Sequence, residues 1–395
     1  MGNTPEPEDF SLVLGGPLYQ LFRRAHLSGD HLELLRRRVL FFSALTWLPL
    51  FVISALEGHA WDGGINVPFL RDIDVHVRFL VALPLLVLAE LVVHQRMKPV
   101  LAQFRTRGLI AESSRTRFDA AVASAYRLRN SVVAELLLLG AVYGVGVLLL
   151  WRKNAALDVS SWYGTPADGT LNPSLAGWWL GIVSLPIFQF LLLRWGWRIV
   201  MWSAFLWRLS RLDLQLIPTH PDLAGGLGYL GTAHKSFGVL SFAASVPIAG
   251  VFAEKMLFAG ASFKELEVPI FGIALISLLI FVAPTLVFFP QLLAAKRQGL
   301  LEYGVFTAAY TRGFDAKWVR HGTSQERLLG TPDIQSLADQ ANSFWIVQRM
   351  RVVPFGRGLI MVIVVATLAP MLPLITLAFP IDQLVERALR LLFGV

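Results

Sequence analysis

Seven stretches of this 395-residue chain are almost continuously apolar: 39–56, 78–94, 131–151, 176–193, 236–258, 268–290 and 358–380. A run of roughly 18 or more such residues, coiled as a helix, crosses a hydrocarbon core of about 30 Å. Few folds accommodate several of them. Only 16% of the residues are charged and the mean hydropathy is +0.58, against about 25% charged in soluble globular domains. The sequence therefore predicts an all-α polytopic membrane protein: about seven kinked transmembrane helices with long helical extensions on the cytoplasmic side. The absence of cysteine excludes disulfides, thiolate metal sites and cysteine nucleophiles.

Residues 1–38 read as a cytoplasmic leader. Its acidic start lacks the basic-then-apolar layout of a cleaved signal peptide, and its Arg36-Arg37-Arg38 cluster abuts the first span. Segments 95–130, 194–235 and 291–357 join the spans on the same side. Of the 35 Lys and Arg, 27 fall in the proposed inner segments, 6 in the outer loops and 2 in the tail. That bias predicts an N-terminus in the cytoplasm. It also places the net charge of +8 against anionic lipid at the cytoplasmic face, so nucleic acid is not an expected partner. The fourth helix is expected to continue to Leu216, because Trp195, Trp197, Trp202 and Trp207 alternate with Arg194, Arg198, Arg208 and Arg211 at the inner interface. Residues 381–395 carry their apolar residues on one helical face and read as an amphipathic surface helix.

Three features could carry function. Ionisable residues in apolar runs come first, because charge in hydrocarbon is costly. Glu90, Glu135 and Arg194, with Arg198 one turn on, could line an ion or proton pathway; they could also snorkel to the nearby interface. Glu254 and Lys255 read as an interfacial pair. Prolines come second: Pro49, Pro84, Pro186, Pro247, Pro284, Pro370 and Pro373 fall in six of the seven spans. Each frees a carbonyl that a neighbour, water or an ion must satisfy. The glycine-rich turn Thr219–Tyr229 is third. Asp222 can cap it, Gly225, Gly226 and Gly228 permit close backbone approach, and its amides, with His220, could cradle an anion or simply pack. No motif of nucleophilic catalysis, no paired catalytic carboxylates, no cofactor fingerprint and no set of metal ligands appears, so neither enzyme activity nor a cofactor is expected.

His220-Pro-Asp-Leu-Ala-Gly-Gly-Leu-Gly228 and Gly330-Thr-Pro-Asp-Ile-Gln-Ser-Leu-Ala-Asp339, followed by Asn342-Ser343-Phe344, resemble a family of uncharacterised bacterial multi-pass inner-membrane proteins. The resemblance extends from the first span onward. It implies compartment and topology, assigns no catalytic residue, and suggests that both motifs belong to one inner face. The 219–231 turn is accordingly expected to pack on a 331–351 helix, which puts Ala224 within crosslinking reach of Ala338. The leading functional expectation is a channel or transporter for an ion or small solute. The alternative is a membrane anchor or regulator that recruits a partner through its cytoplasmic helices. A third reading, a lipid-headgroup enzyme, would need free amides in the glycine-rich turn. Small residues such as Gly140, Gly144 and Gly146 permit close helix contact, so homo-oligomerisation is open.

Overall fold

The computed structural model of the protein describes Ser11, Gly15 and residues 35–61, 64–151, 160–167, 170–320 and 330–378. Most of the 1–38 leader and the whole of the 381–395 tail lie outside the described residues. Among the described residues, six helices are long and apolar enough to cross a membrane: α1 (Leu35–Leu56), α2 (Ile73–Thr106), α5 (Leu175–Leu209), α6 (Gly228–Phe258), α7 (Phe263–Arg320) and α9 (Arg357–Ala378). Helices α3 (Arg115–Arg129) and α4 (Val132–Ala141, continued by a π-helical stretch to Trp151) are together long and apolar enough for a seventh, as a broken span or a re-entrant pair. These two meet at a bend of 45°, where Ser131 caps α4 by accepting from the amide of Ala134. Helix α8 (Pro332–Arg349) does not span; it folds back along the second half of α7.

The helices assemble through stripes that the sequence sets by spacing. On α1 the buried residues are Arg38, Phe42, Thr46, Leu50 and Ser54, a four-residue repeat that lies on one face of a helix. On the opposite side of α1, Leu40, Leu48 and Val52 are exposed, as suits a lipid-facing surface, while Val39, Trp47 and Phe51 flank the buried stripe and pack partly against the core. Helix α6 is the axis of the bundle, buried on most of its circumference and contacting α2, α7 and α9. Its Gly250 sits where a Cβ would lie 2.8 Å from Val77 Cγ2 and 2.9 Å from Asp74 Cα. Gly250→Leu should therefore push α6 off α2 and cost about 1–3 kcal/mol. The expected readout is a lower thermal unfolding temperature in detergent, with Gly272→Leu unchanged because nothing lies within 4 Å of that position.

Two elements depart from the sequence expectation. The fourth crossing ends at Leu209 and not at Leu216. Beyond it the chain is drawn sideways: Leu214 pairs with Ile110, Gln215 donates to the Leu109 carbonyl at 2.9 Å, and the Gln291 amide takes the carbonyls of Ser210 and Leu212. These long-range bonds outweigh the local helical pattern. In the connection before α5, strands β1 (Gly164–Ala167) and β2 (Thr170–Pro173) form an antiparallel hairpin. Gly177 lets that hairpin dock, since a Cβ there would meet the Tyr163 carbonyl oxygen at 1.9 Å.

Helix α7 runs for 58 residues, roughly 87 Å of contour at 1.5 Å per residue, far more than a bilayer requires. It loosens into a 3-10 turn at Ala283–Phe288 around Pro284. There His234 acts as a staple. Its Nε2 accepts from the Trp202 indole at 2.9 Å, and its Nδ1 lies 3.0 Å from the Phe281 carbonyl. The two bonds together select the tautomer that carries its proton on Nδ1.

Candidate functional site

Four helices deliver charged side chains to one buried point. Glu90 of α2 is 3% exposed, and its two oxygens are shared among three guanidinium groups. Arg38 of α1 donates at 2.5 Å, Arg198 of α5 at 2.9 Å, and Arg194, one turn earlier on α5, at 3.4 Å. Glu135, in the first turn of α4, faces the other edge of Arg194 at 3.7 Å. The three arginines are at most 5% exposed. Their positions follow from helical spacing: Arg194 and Arg198 are four residues apart and share one face of α5. Between them Trp195 donates to the Leu86 carbonyl at 3.1 Å and presents its ring 4.7 Å from the Arg198 guanidinium. The structure thus brings Glu90, Glu135, Arg194 and Arg198 together.

Arg38 completes the cluster, and sequence reasoning took it only as part of the basic triplet. Its neighbours Arg36 and Arg37 are exposed, whereas Arg38 begins the buried four-residue stripe of α1. That periodic placement was the available signal. Toward the helix ends the cluster continues into Arg129 and His94. Arg129 donates to the Ser11 carbonyl at 2.9 Å, and the Ser11 hydroxyl lies 2.7 Å from His94 Nδ1. Ser11 is itself buried against this end of the cluster.

A second charged group occupies the N-terminal end of α2. Asp72 caps α2 by accepting from Val75 at 2.8 Å and takes the buried Trp162 indole at 2.7 Å. Asp74 pairs with Arg78 at 2.5 Å. Glu254 of α6 accepts from the Asp74 amide at 2.9 Å. The expected Glu254–Lys255 pair is not among the ion pairs of the described residues; Glu254 turns inward, toward Asp72 and Asp74. From Asp74 to Glu90, α2 rises roughly 24 Å, most of a hydrocarbon core of about 30 Å. Between them Phe79, Ala82, Leu83, Leu86 and Val87 are buried. Two charged clusters are separated by a buried apolar segment.

The glycine-rich turn is arranged differently from an open anion site. Asp222 Oδ1 accepts from the amides of Ala224 (2.8 Å) and Gly226 (3.1 Å), and Oδ2 accepts from Gly228 (2.8 Å). His220 Nδ1 sits 2.9 Å from Oδ1. The anion in this nest is the chain's own carboxylate, so the amides of Ala224, Gly226 and Gly228 are already occupied and not offered to a phosphate. Burial pushes the Asp222 carboxyl up, but the amides of Gly228, Ala224 and Gly226 and the His220 ring outweigh it and hold the group below its ordinary value. Gly225 and Gly226 have φ of +62° and +98°, and Leu223 joins them at +56°. The turn meets the C-terminal end of α8 and the residues after it. Arg351 donates its amide to the Leu223 carbonyl and its guanidinium to the Asp222 carbonyl, both at 2.7 Å, and Met350 lies against Gly225. Ala338 is about three helical turns away from that contact.

The fold and the buried cluster define a polytopic helical membrane protein with charge held inside its bundle. Comparison with protein-family models, with curated proteins and with solved structures gives no match.

Proposed function

We propose that this protein is a channel or transporter for an ion or small solute, with its route along α2 between the two charged clusters as vestibules. The observation that carries the reading is Glu90, buried and shared by three arginines from two other helices. A bundle that only anchors itself can be held by apolar and small-residue contacts. Charges taken out of water bring a desolvation penalty of several kcal/mol per ion, and in membrane segments such groups mark ion and proton routes. The intervening apolar stretch fits a gate that closes by dewetting. Surplus arginine at one vestibule and surplus carboxylate at the other favour opposite ions, so neither alone sets the permeant charge. The basic bias supports a cytoplasmic side for the Arg194 cluster and the N-terminus, in a bacterial inner membrane with anionic lipid at that face.

The test is ion flux from liposomes containing the purified protein, beside Glu90→Gln, Glu135→Gln and Arg194→Gln. Protein-dependent flux that changes with these substitutions supports the route; no flux of any cation or anion through well-folded protein overturns it. One observation favours a second reading, recruitment of a partner. The hairpin of α8 on the distal half of α7 exposes Leu301 (73%), Val305 (71%), Phe306 (59%) and Trp345 (51%). Serines at Leu301, Val305 and Phe306 should leave flux unchanged if the protein transports and abolish partner binding if it recruits.

A further inference from the structure

Away from the buried cluster, α3 and the end of α5 enclose a concavity of about 490 Å³ lined by Arg117, Arg127, Arg208 and Arg211 with Ser124 and Trp207. No carboxylate lines it, and none of the four arginines enters an ion pair among the described residues. Arg117 and Arg127, with Ser124 between them, come from one side of α3. Arg208 and Arg211 come from the last turn of α5 and the residues just past it. Trp207 is shared with a second concavity of about 700 Å³, an apolar groove between α5 and α7. Gly196, Ile199, Val200 and Ala204 form its α5 wall, and Leu279, Ile280 and Pro284 stand opposite. From Gly196 to Trp207 the groove follows roughly 16 Å of helix rise, the depth of one leaflet in a core of about 30 Å.

We infer that these two concavities form one binding site for an anionic phospholipid, with the phosphate headgroup among the four arginines and an acyl chain in the groove. The placement matches the ligand part by part. Guanidinium groups bind phosphate oxygens through paired, charge-assisted hydrogen bonds. Tryptophan marks the level where headgroup gives way to hydrocarbon; here Trp207 is half-exposed, with the Arg211 guanidinium 5.1 Å from its ring centre. Basic pockets between membrane helices recognise anionic headgroups, and an apolar groove open to the bilayer has hydrocarbon as its natural occupant. The site is separate from the glycine-rich turn, where Asp222 already takes three amides, and it does not depend on what crosses the membrane.

The test uses the full chain in detergent, with native mass spectrometry reading retained dioleoylphosphatidylglycerol, dioleoylphosphatidylcholine and water-soluble glycerol phosphate. Wild type should retain the phosphatidylglycerol over the phosphatidylcholine by roughly tenfold or more. Arg127→Gln/Arg208→Gln, and separately Arg117→Gln/Arg211→Gln, should lose that preference, while the exposed pair Arg36→Gln/Arg37→Gln keeps it. Ala204→Trp, which fills the groove and leaves the arginines in place, should also lose the lipid; if it unfolds, Ile280→Asn on the opposite wall replaces it. Equal retention of the two lipids by wild type overturns the site. So does unchanged retention in both arginine double variants, and so does glycerol phosphate competing as well as the lipid, which would mark a site for soluble phosphate.

Discussion

Glu90→Leu is expected to cost the fold about 3–5 kcal/mol, the loss that follows when one member of a buried ion cluster is removed. The leucine would add at most about 1.5–3 kcal/mol of apolar burial, so a purely hydrophobic account predicts a neutral or stabilised protein. The electrostatic account predicts the reverse. Arg38, Arg194 and Arg198 would remain buried without the carboxylate that all three share, Glu135 lying 3.7 Å from Arg194. Thermal unfolding in detergent reads the difference. A cycle of Glu90→Gln, Arg38→Gln and the double variant should show coupling of about 0.5–3 kcal/mol, as expected for contacting charges. Melting of Glu90→Leu at the wild-type temperature would mean that the cluster does not hold the helices together.

Asp222→Ala should produce the largest local effect. The carboxylate serves three backbone amides, and hydrogen bonds to a charged acceptor contribute about 1.5–3 kcal/mol each at most. Because Asp222 is only half-buried, solvent screening lowers the sum, and about 2–3 kcal/mol is the expected loss. The left-handed residues 223, 225 and 226 would then lack the anchor that fixes them, and the bonds to Arg351 would loosen with the turn. Hydrogen exchange should therefore quicken at Ala224, Gly226, Gly228 and Arg351 together. Asp222→Asn should fall between, since one amide oxygen can still accept from two of the three donors. The sign with pH follows from the depressed carboxyl. Its contribution is complete above the ordinary aspartate value, near 4, and is lost as pH falls through the lower folded value. Wild type and Asp222→Ala should converge only in acid.

The membrane helices were legible because a bilayer imposes a length and a polarity that composition cannot disguise. The charged members of the cluster were legible for the same reason: Glu90, Glu135 and Arg194 stand out in apolar sequence. Arg38 was hidden by its neighbours, since a basic triplet reads as a topology signal until the phase of the helix shows that one of the three points inward. Asp72, Asp74 and Trp162 were hidden by their loops. Nothing in the stretch 57–77 or in the polar loop around Trp162 announces that an indole and an aspartate ninety residues apart will meet in the interior. The glycine-rich turn was readable as a tight structure but not as a self-contained one, because the anion that fills it is one of its own residues. Helix ends were the least legible: Leu209 terminates α5 through bonds to Leu109, Ile110 and Gln291, which local pattern does not contain.

The most direct test of the central claim is liposome flux through Leu86→Ser. Leu86 lies one turn from Glu90 on the same face of α2, 1% exposed, within the buried apolar segment between the two charged clusters. On the proposed reading, a hydroxyl there should help water enter and raise ion flux by roughly tenfold or more over wild type, because apolar constrictions gate by dewetting. A gain of this kind cannot arise from misfolding that merely removes active protein. Flux through folded Leu86→Ser that equals the protein-free background would contradict the account, and the two vestibules would then be structural clusters in a bundle that conducts nothing.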